Sequence, residues 1–193
     1  MDLMRLLKDQ LNNPNVLEKL GQSVGADTSQ VAKLTQLGLP AMLQGLTKNA
    51  RTPEGAASLA SALDQHKDDG VDDLEGFLSH VNRKDGAKIL NHVFADKNNQ
   101  VKTTLAKETG LKKGQVSGLL TQLAPVLLGA LGNQKKEENM DANGIASLLP
   151  SLGSLLGGSS SAGGLSGITS ILDADKDGDI MDDIKGFLGK IIK

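Results

Sequence analysis

Apolar residues recur every three or four positions along most of this chain, which is the spacing of one face of an α-helix. The first run of this kind places Leu3, Leu6, Leu7 and Leu11 on one side, with charged residues between them. No stretch shows the strict alternation of apolar and polar residues that a half-buried β-strand requires. The pattern therefore predicts an all-α, multihelical fold with no sheet.

Capping and helix-breaking residues divide this pattern into separate helices. Asn13-Pro14 ends the first run, and Thr52-Pro53 places an N-cap before a proline at the first helical position. Pro40 and Pro125 each lie within an apolar helical run. Because proline removes a backbone hydrogen bond, we expect each of them to interrupt its helix. A further short helix is predicted over residues 148–156.

The chain also contains an internal repeat. A shift of 85 positions places ten residues on identical residues, and these lie on apolar helix faces, at a glycine between helices and at a proline. The pairs are Asn13 and Asn98, Val16 and Val101, Leu20 and Leu105, Gly25 and Gly110, Gln30 and Gln115, Val31 and Val116, Leu34 and Leu119, Pro40 and Pro125, Leu43 and Leu128, and Leu46 and Leu131. A second match, at a larger offset, relates residues 63–78 to residues 172–188.

The repeat predicts two sequence-related helical units packed together. The first unit covers residues 1–82 and includes an acidic loop. The second covers residues 83–193 and differs by a Gly/Ser-rich insertion at residues 133–167 and an Asp-rich loop near the C-terminus. Repeat units that cannot close a core alone bury their faces against each other, so we expect a pseudo-twofold pair.

The Asp-rich loop, residues 173–183, carries the chemistry that the sequence shows most clearly. Acids occupy its positions one, three and five and a glycine its position six, which is the pattern of a loop that wraps Ca²⁺ with oxygen ligands. Ile184 stands at position twelve, where an EF-hand has a bidentate Glu, so the loop resembles a shortened EF-hand. The predicted ligands are Asp173, Asp175, Asp177, Asp179 (through its backbone carbonyl), Asp182 and Asp183.

The related loop of the first unit, residues 64–73, is degenerate. His66 stands at its third position and its glycine comes one place late. We expect this loop to keep the turn without holding the ion. His66, His80 and His92 show no ligand spacing, so each is interpreted as a surface or helix-end residue rather than a catalytic one. Lys135-Lys136 is interpreted as a solvated pair.

Composition narrows the classes of function. The chain of 193 residues has 23 acidic and 21 basic residues and neither Trp nor Tyr, which disfavours nucleic-acid binding. Cysteine is absent, which excludes disulfides and thiolate sites. The N-terminus lacks the apolar core of a signal peptide, and the most apolar stretch, Leu123 to Leu131, is too short to span a bilayer. A cytoplasmic protein without a transmembrane segment is therefore expected.

Three stretches resemble the YidB-like family, a bacterial domain of unknown function. They are residues 39–46 (LPAMLQGL) with residues 52–59 (TPEGAASL), residues 123–132 (LAPVLLGALG), and the terminal loop of residues 172–188. The resemblance covers nearly the whole chain. It implies a multihelical fold and supplies no established activity, substrate or catalytic residue.

Three functions from different classes fit these features. The first is a non-enzymatic interaction module that is stabilised by Ca²⁺ and binds a protein partner of unknown identity. The alternative is a structural protein without metal dependence that self-assembles into a homo-oligomer or associates with the envelope or a membrane. An enzyme would need carboxylate pairs converging in a pocket, which a sequence cannot display.

Overall fold

The computed structural model describes residues 9–157, together with residues 168 and 171, and these residues form helices and turns without a strand. The predicted all-α fold is therefore confirmed. Eight helices run in order: α1 (Pro14–Val24), α2 (Thr28–Asn49), α3 (Pro53–His66), α4 (Leu74–His80), α5 (Arg83–Phe94), α6 (Asn98–Thr109), α7 (Lys113–Glu137) and α8 (Ala142–Gly157). A 3₁₀ turn, Ala95–Lys97, joins α5 to α6.

The two prolines lie within long helices and do not end them. Helix α2 continues through Pro40 and α7 through Pro125, so the expected interruptions are wrong. Both prolines are buried, and the residues around each are buried as well. Packing on every side of these segments outweighs the roughly 3 kcal/mol that an internal proline costs a helix.

Helix α7 is the centre of the fold. It packs mainly against α5 and α3 and also contacts α1, α2 and α6. Its residues 122–132 are all buried, which explains why the segment is apolar on every face. By length and composition α7 is the one described helix that could cross a membrane, although 72% of its most apolar window is buried inside the fold. A buried core helix has the same composition.

Helix α5 packs against the middle of α7, where Pro125 removes a backbone hydrogen bond from the helix. Because Pro125 has no N–H, the carbonyl of Thr121 loses its usual partner within the helix. Gly86 of α5 lies against this carbonyl so closely that a Cβ atom would overlap the oxygen. The other end of α5 is fixed to α2, where the side chain of Asn49 donates a hydrogen bond of 2.7 Å to the carbonyl of His92.

The turns that precede α2 and α7 contact each other reciprocally. Each turn contains a glycine with positive φ, +66° at Gly25 and +73° at Gly110, a conformation that other residues rarely adopt. Nε2 of Gln30 donates to the carbonyl of Gly110 at 3.2 Å, and Nε2 of Gln115 donates to that of Gly25 at 2.5 Å. The glycine of each turn thus accepts a hydrogen bond from the glutamine that follows the other turn.

The helix contacts are reciprocal too. Helix α3 packs against α7 and α8 against α2, while α1 contacts α7 and α6 contacts α2. The helices α3 and α8 also begin alike. Thr52 Oγ1 accepts from the N–H of Gly55 at 3.1 Å, and Asp141 Oδ1 accepts from the N–H of Gly144 at 2.8 Å. Thus α3, which follows α2, packs on α7, and α8, which follows α7, packs on α2.

Candidate functional site

A cleft of about 520 Å³ opens beside α4, between the end of α3 and the start of α5. Its polar lining includes two histidines and three aspartates, and its apolar lining consists of Phe77, Val81 and Pro125. Neither Lys nor Arg contributes to this lining. Because it is concave and combines apolar walls with a few convergent polar groups, the cleft is the candidate site in the described part of the chain.

His66 is the polar centre of the cleft. Its Nδ1 lies 2.6 Å from Oδ2 of Asp69 in the following turn, and its Nε2 lies 3.4 Å from Oδ2 of Asp85 in the first turn of α5. Only 14% of the His66 side chain is exposed. Each ring nitrogen of His66 therefore faces a different carboxylate, one in the turn after α3 and one on α5.

The sequence interpretation of His66 is right about the helix end and misses both partners. His66 is the last residue of α3, as expected, yet it is largely buried and paired rather than free at the surface. Asp69 is local, but Asp85 is distant along the chain. An acid in the first turn of a helix is common because it interacts favourably with the helix dipole, so Asp85 carried no distinguishing signal.

The remaining histidines play lesser parts. His80 ends α4, is exposed and lines the cleft, with Nδ1 3.4 Å from the carbonyl of Gly76. His92 is exposed near the end of α5 and does not line the cleft. The surface and helix-end interpretation agrees with the positions of both residues.

Each cleft carboxylate has one oxygen engaged. Oδ2 of Asp69 and Oδ2 of Asp85 contact His66, and Oδ1 of Asp73 caps α4 by accepting from the N–H of Gly76 at 3.0 Å. Within the described residues, the second oxygen of each carboxylate has no hydrogen-bond donor. The cleft therefore carries more negative charge than positive and retains free acceptors.

Lysines pair with two further aspartates of the first acidic loop. Nζ of Lys135 lies 2.5 Å from Oδ1 of Asp64, and Nζ of Lys136 lies 2.6 Å from Oδ1 of Asp68. These hydrogen bonds hold the pKa of each aspartate below its ordinary value. The interpretation of the lysines as a solvated pair is wrong for Lys135, whose side chain is 15% exposed.

Metal binding has no support in the described residues, where no group of three or more His, Cys, Asp or Glu side chains could hold an ion. The degenerate loop does keep its turn, with φ of +64° at Gly70, as predicted. The predicted Ca²⁺ loop, with its six aspartates, lies outside the described residues. Sequence reasoning also missed Phe77 and Val81, which the fold alone brings to the cleft.

A model of a bacterial protein family of unknown function, DUF937, matches residues 5–134, more than half of the chain. No curated protein and no solved structure matches.

Proposed function

Because the chain belongs to DUF937, a bacterial family of unknown function, we propose its role from its own residues: it is a non-enzymatic interaction module whose C-terminal loop is stabilised by Ca²⁺. The closer resemblance to YidB-like proteins and the cytoplasmic location remain predictions that accompany this proposal. The observation that carries the interaction role is the open cleft beside His66, with its free carboxylate oxygens.

The geometry of His66 favours binding over catalysis. A general base needs a free ring nitrogen to accept a proton. Both nitrogens of His66 contact carboxylates instead. The hydroxyl of Ser79 on α4 is also engaged, since it donates to the carbonyl of Glu75 and accepts from Nζ of Lys19. Polar groups that already have fixed partners suit recognition of a ligand better than proton transfer.

Comparison of the two acidic loops supports the Ca²⁺ assignment. In the loop of the first unit, Asp64 and Asp68 pair with Lys135 and Lys136, which lie at the end of α7. The residues 85 positions earlier, at the end of α2, are Ala50 and Arg51, so α2 carries no counterpart of Lys135 that could serve the second loop. The loop of residues 173–183 carries more acids than its relative. A divalent cation would supply the charge that lysines supply in the first unit.

We also propose that the reciprocal contacts reflect two related units arranged as a pseudo-twofold pair. The exchanged hydrogen bonds of Gln30 and Gln115 support this arrangement, as do the exchanged positions of α3 and α8.

Calorimetric titration of chelated protein with Ca²⁺ tests the metal assignment. We expect heat of binding and a higher melting temperature, because an ion that binds only the folded state stabilises it. Replacing Asp173 and Asp175 by Asn should abolish both effects. The matched control replaces Asp64 and Asp68 in the first loop, and it should leave the heat of binding intact. Absence of heat in the unaltered chain would contradict the assignment.

The alternative function is a structural protein that self-assembles, or associates with an envelope or membrane, without metal. The length and apolar composition of α7 are the observation in its favour. Light scattering and flotation with lipid vesicles separate the two proposals. A homo-oligomer, or a protein that floats with vesicles, supports the alternative if chelator does not change the result. A monomer that does not bind vesicles supports the interaction module.

A further inference from the structure

We propose that the cleft beside His66 binds a primary alkylammonium group, the chemistry shared by a lysine side chain and a free aliphatic amine. This inference deepens the proposed interaction role, on which it rests, by naming the class of ligand. It does not depend on Ca²⁺, because the cleft and the predicted metal loop use different residues.

Charge is the first argument. Three aspartates, Asp69, Asp73 and Asp85, line the cleft, and neither Lys nor Arg lines it beside them. The basic residues that begin α5, Arg83 and Lys84, are exposed and do not line the cleft. A cation entering the cleft thus meets an excess of carboxylate charge, whereas an anion would meet repulsion.

Hydrogen-bond geometry selects the kind of cation. An ammonium group has three N–H donors that each need a single acceptor, whereas a guanidinium group pairs best with both oxygens of one carboxylate. Asp69 and Asp73 each have one oxygen in a hydrogen bond, with His66 and with the N–H of Gly76, and Oδ2 of Asp85 lies 3.4 Å from Nε2 of His66. The unoccupied oxygens thus belong to three separate carboxylates, which match the separate donors of an ammonium group better than the paired donors of a guanidinium group. This favours ammonium over guanidinium.

The apolar side of the cleft fits the stem of such a ligand. Phe77 and Val81 are half-buried and share the lining with the carboxylates. A lysine side chain buries its methylene stem on apolar surface while its charged end reaches polar groups. An aromatic face beside a cation adds further attraction. A bare metal ion could not use these apolar contacts, and no metal-holding group of side chains occurs in the described residues.

The test is a titration of the full, ¹⁵N-labelled chain followed by amide chemical shifts, at low salt and with chelator present. The probes are cadaverine and three capped tripeptides in which the central residue is lysine, arginine or norleucine. We expect saturable shifts at Gly70, Gly76 and Asn82 with the lysine peptide or cadaverine, several-fold weaker binding of the arginine peptide, and no effect of the norleucine peptide. Saturation by cadaverine alone identifies a free amine as ligand, and saturation by the peptide alone identifies a protein lysine.

A matched pair of variants separates the cleft from general electrostatics. Asp73→Asn removes a cleft charge but keeps an amide oxygen that can cap α4. Asp72→Asn makes the same change at the neighbouring exposed residue, whose side chain does not line the cleft. We expect Asp73→Asn to weaken binding about threefold to fivefold and Asp72→Asn to have little effect.

Several results would overturn this inference. They are equal losses in the two variants, equal binding of the lysine and arginine peptides, binding of the norleucine peptide, or the absence of saturable shifts with every probe. A failed ammonium titration together with a normal heat of Ca²⁺ binding rejects the ligand while leaving the metal assignment in place. The converse result rejects the metal and leaves the cleft as a binding site.

Discussion

The long helices α2 and α7 begin alike and end differently. Both follow a glycine with positive φ, both carry a glutamine that caps the helix and bonds to the opposite turn, and both contain a buried proline. Their C-terminal halves diverge. Helix α7 carries Gly129, Gly132, Lys135 and Lys136, which form the loop-binding end of α7, whereas the matching residues of α2 are Gln44, Thr47, Ala50 and Arg51.

The loop-binding end of α7 packs directly against the first acidic loop. A Cβ on Gly132 would lie 2.6 Å from the carbonyl oxygen of Leu63 and 2.9 Å from the Cα of Lys67, so the backbone of the loop rests directly on the helix. The lysines one turn further on then hold the loop carboxylates. On α2, Thr47 occupies the position of Gly132, and its side chain would prevent the same close approach.

The largest expected effect comes from filling this contact. Gly132→Ala should destabilise the protein by about 1–3 kcal/mol, because the overlap with backbone atoms outweighs the higher helix propensity of alanine. Urea denaturation provides the measurement. The control, Thr47→Ala at the matching position of α2, should change the free energy of unfolding by no more than about 0.5 kcal/mol. Equal losses of stability at the two positions would contradict the claim that only α7 packs against loop backbone at this place.

Breaking the reciprocal hydrogen bonds tests the similarity instead. Gln30→Ala and Gln115→Ala should each lower the free energy of unfolding by about 1 kcal/mol, since each loses a bond to the opposite turn and a bond to its own helix start. Gln100→Ala, at an exposed glutamine of α6, is the control and should be close to neutral. If only one of the two glutamines mattered, the contacts would not be equivalent in energy.

Local signals predicted the helices because they depend on neighbouring residues. The N-cap Thr52 and the apolar spacing both act within a few residues, and the structure agrees with them. The interruptions expected at Pro40 and Pro125 were wrong because burial, a property of the whole fold, outweighs a local penalty. The start of α8 at Ala142 was also missed. Asn143 and Gly144 follow a charged segment and are themselves poor helix formers, so the local sequence carried no sign of a helix there.

The cleft could not be predicted, since its parts come from separate segments. Pro125, His66 and Asp85 lie on three different helices, and only their packing brings them together. The pairing of Asp64 with Lys135 is equally distant along the chain. A sequence shows that a loop is acidic, but the cation that neutralises it depends on which helix end the fold places beside it.

The smallest expected effect concerns this pairing and appears as a dependence on pH. Hydrogen bonds from Lys135 and Lys136 lower the pKa values of Asp64 and Asp68 below their ordinary value of 3.8. Because the folded pKa is the lower one, the stabilisation is complete above pH 3.8 and is lost as the pH falls through the folded value.

Replacing Lys135 and Lys136 by Met should therefore make the protein less stable near neutral pH and reduce the loss of stability on acidification from about pH 5 to 2. Urea denaturation across this range measures both quantities. Arg51→Met, which removes a charge at the matching end of α2, is the control and should leave the acid slope unchanged. The same flattening in the Arg51 variant would mean that both helix ends hold an acidic loop, and the difference between α2 and α7 would then lie only in their glycines.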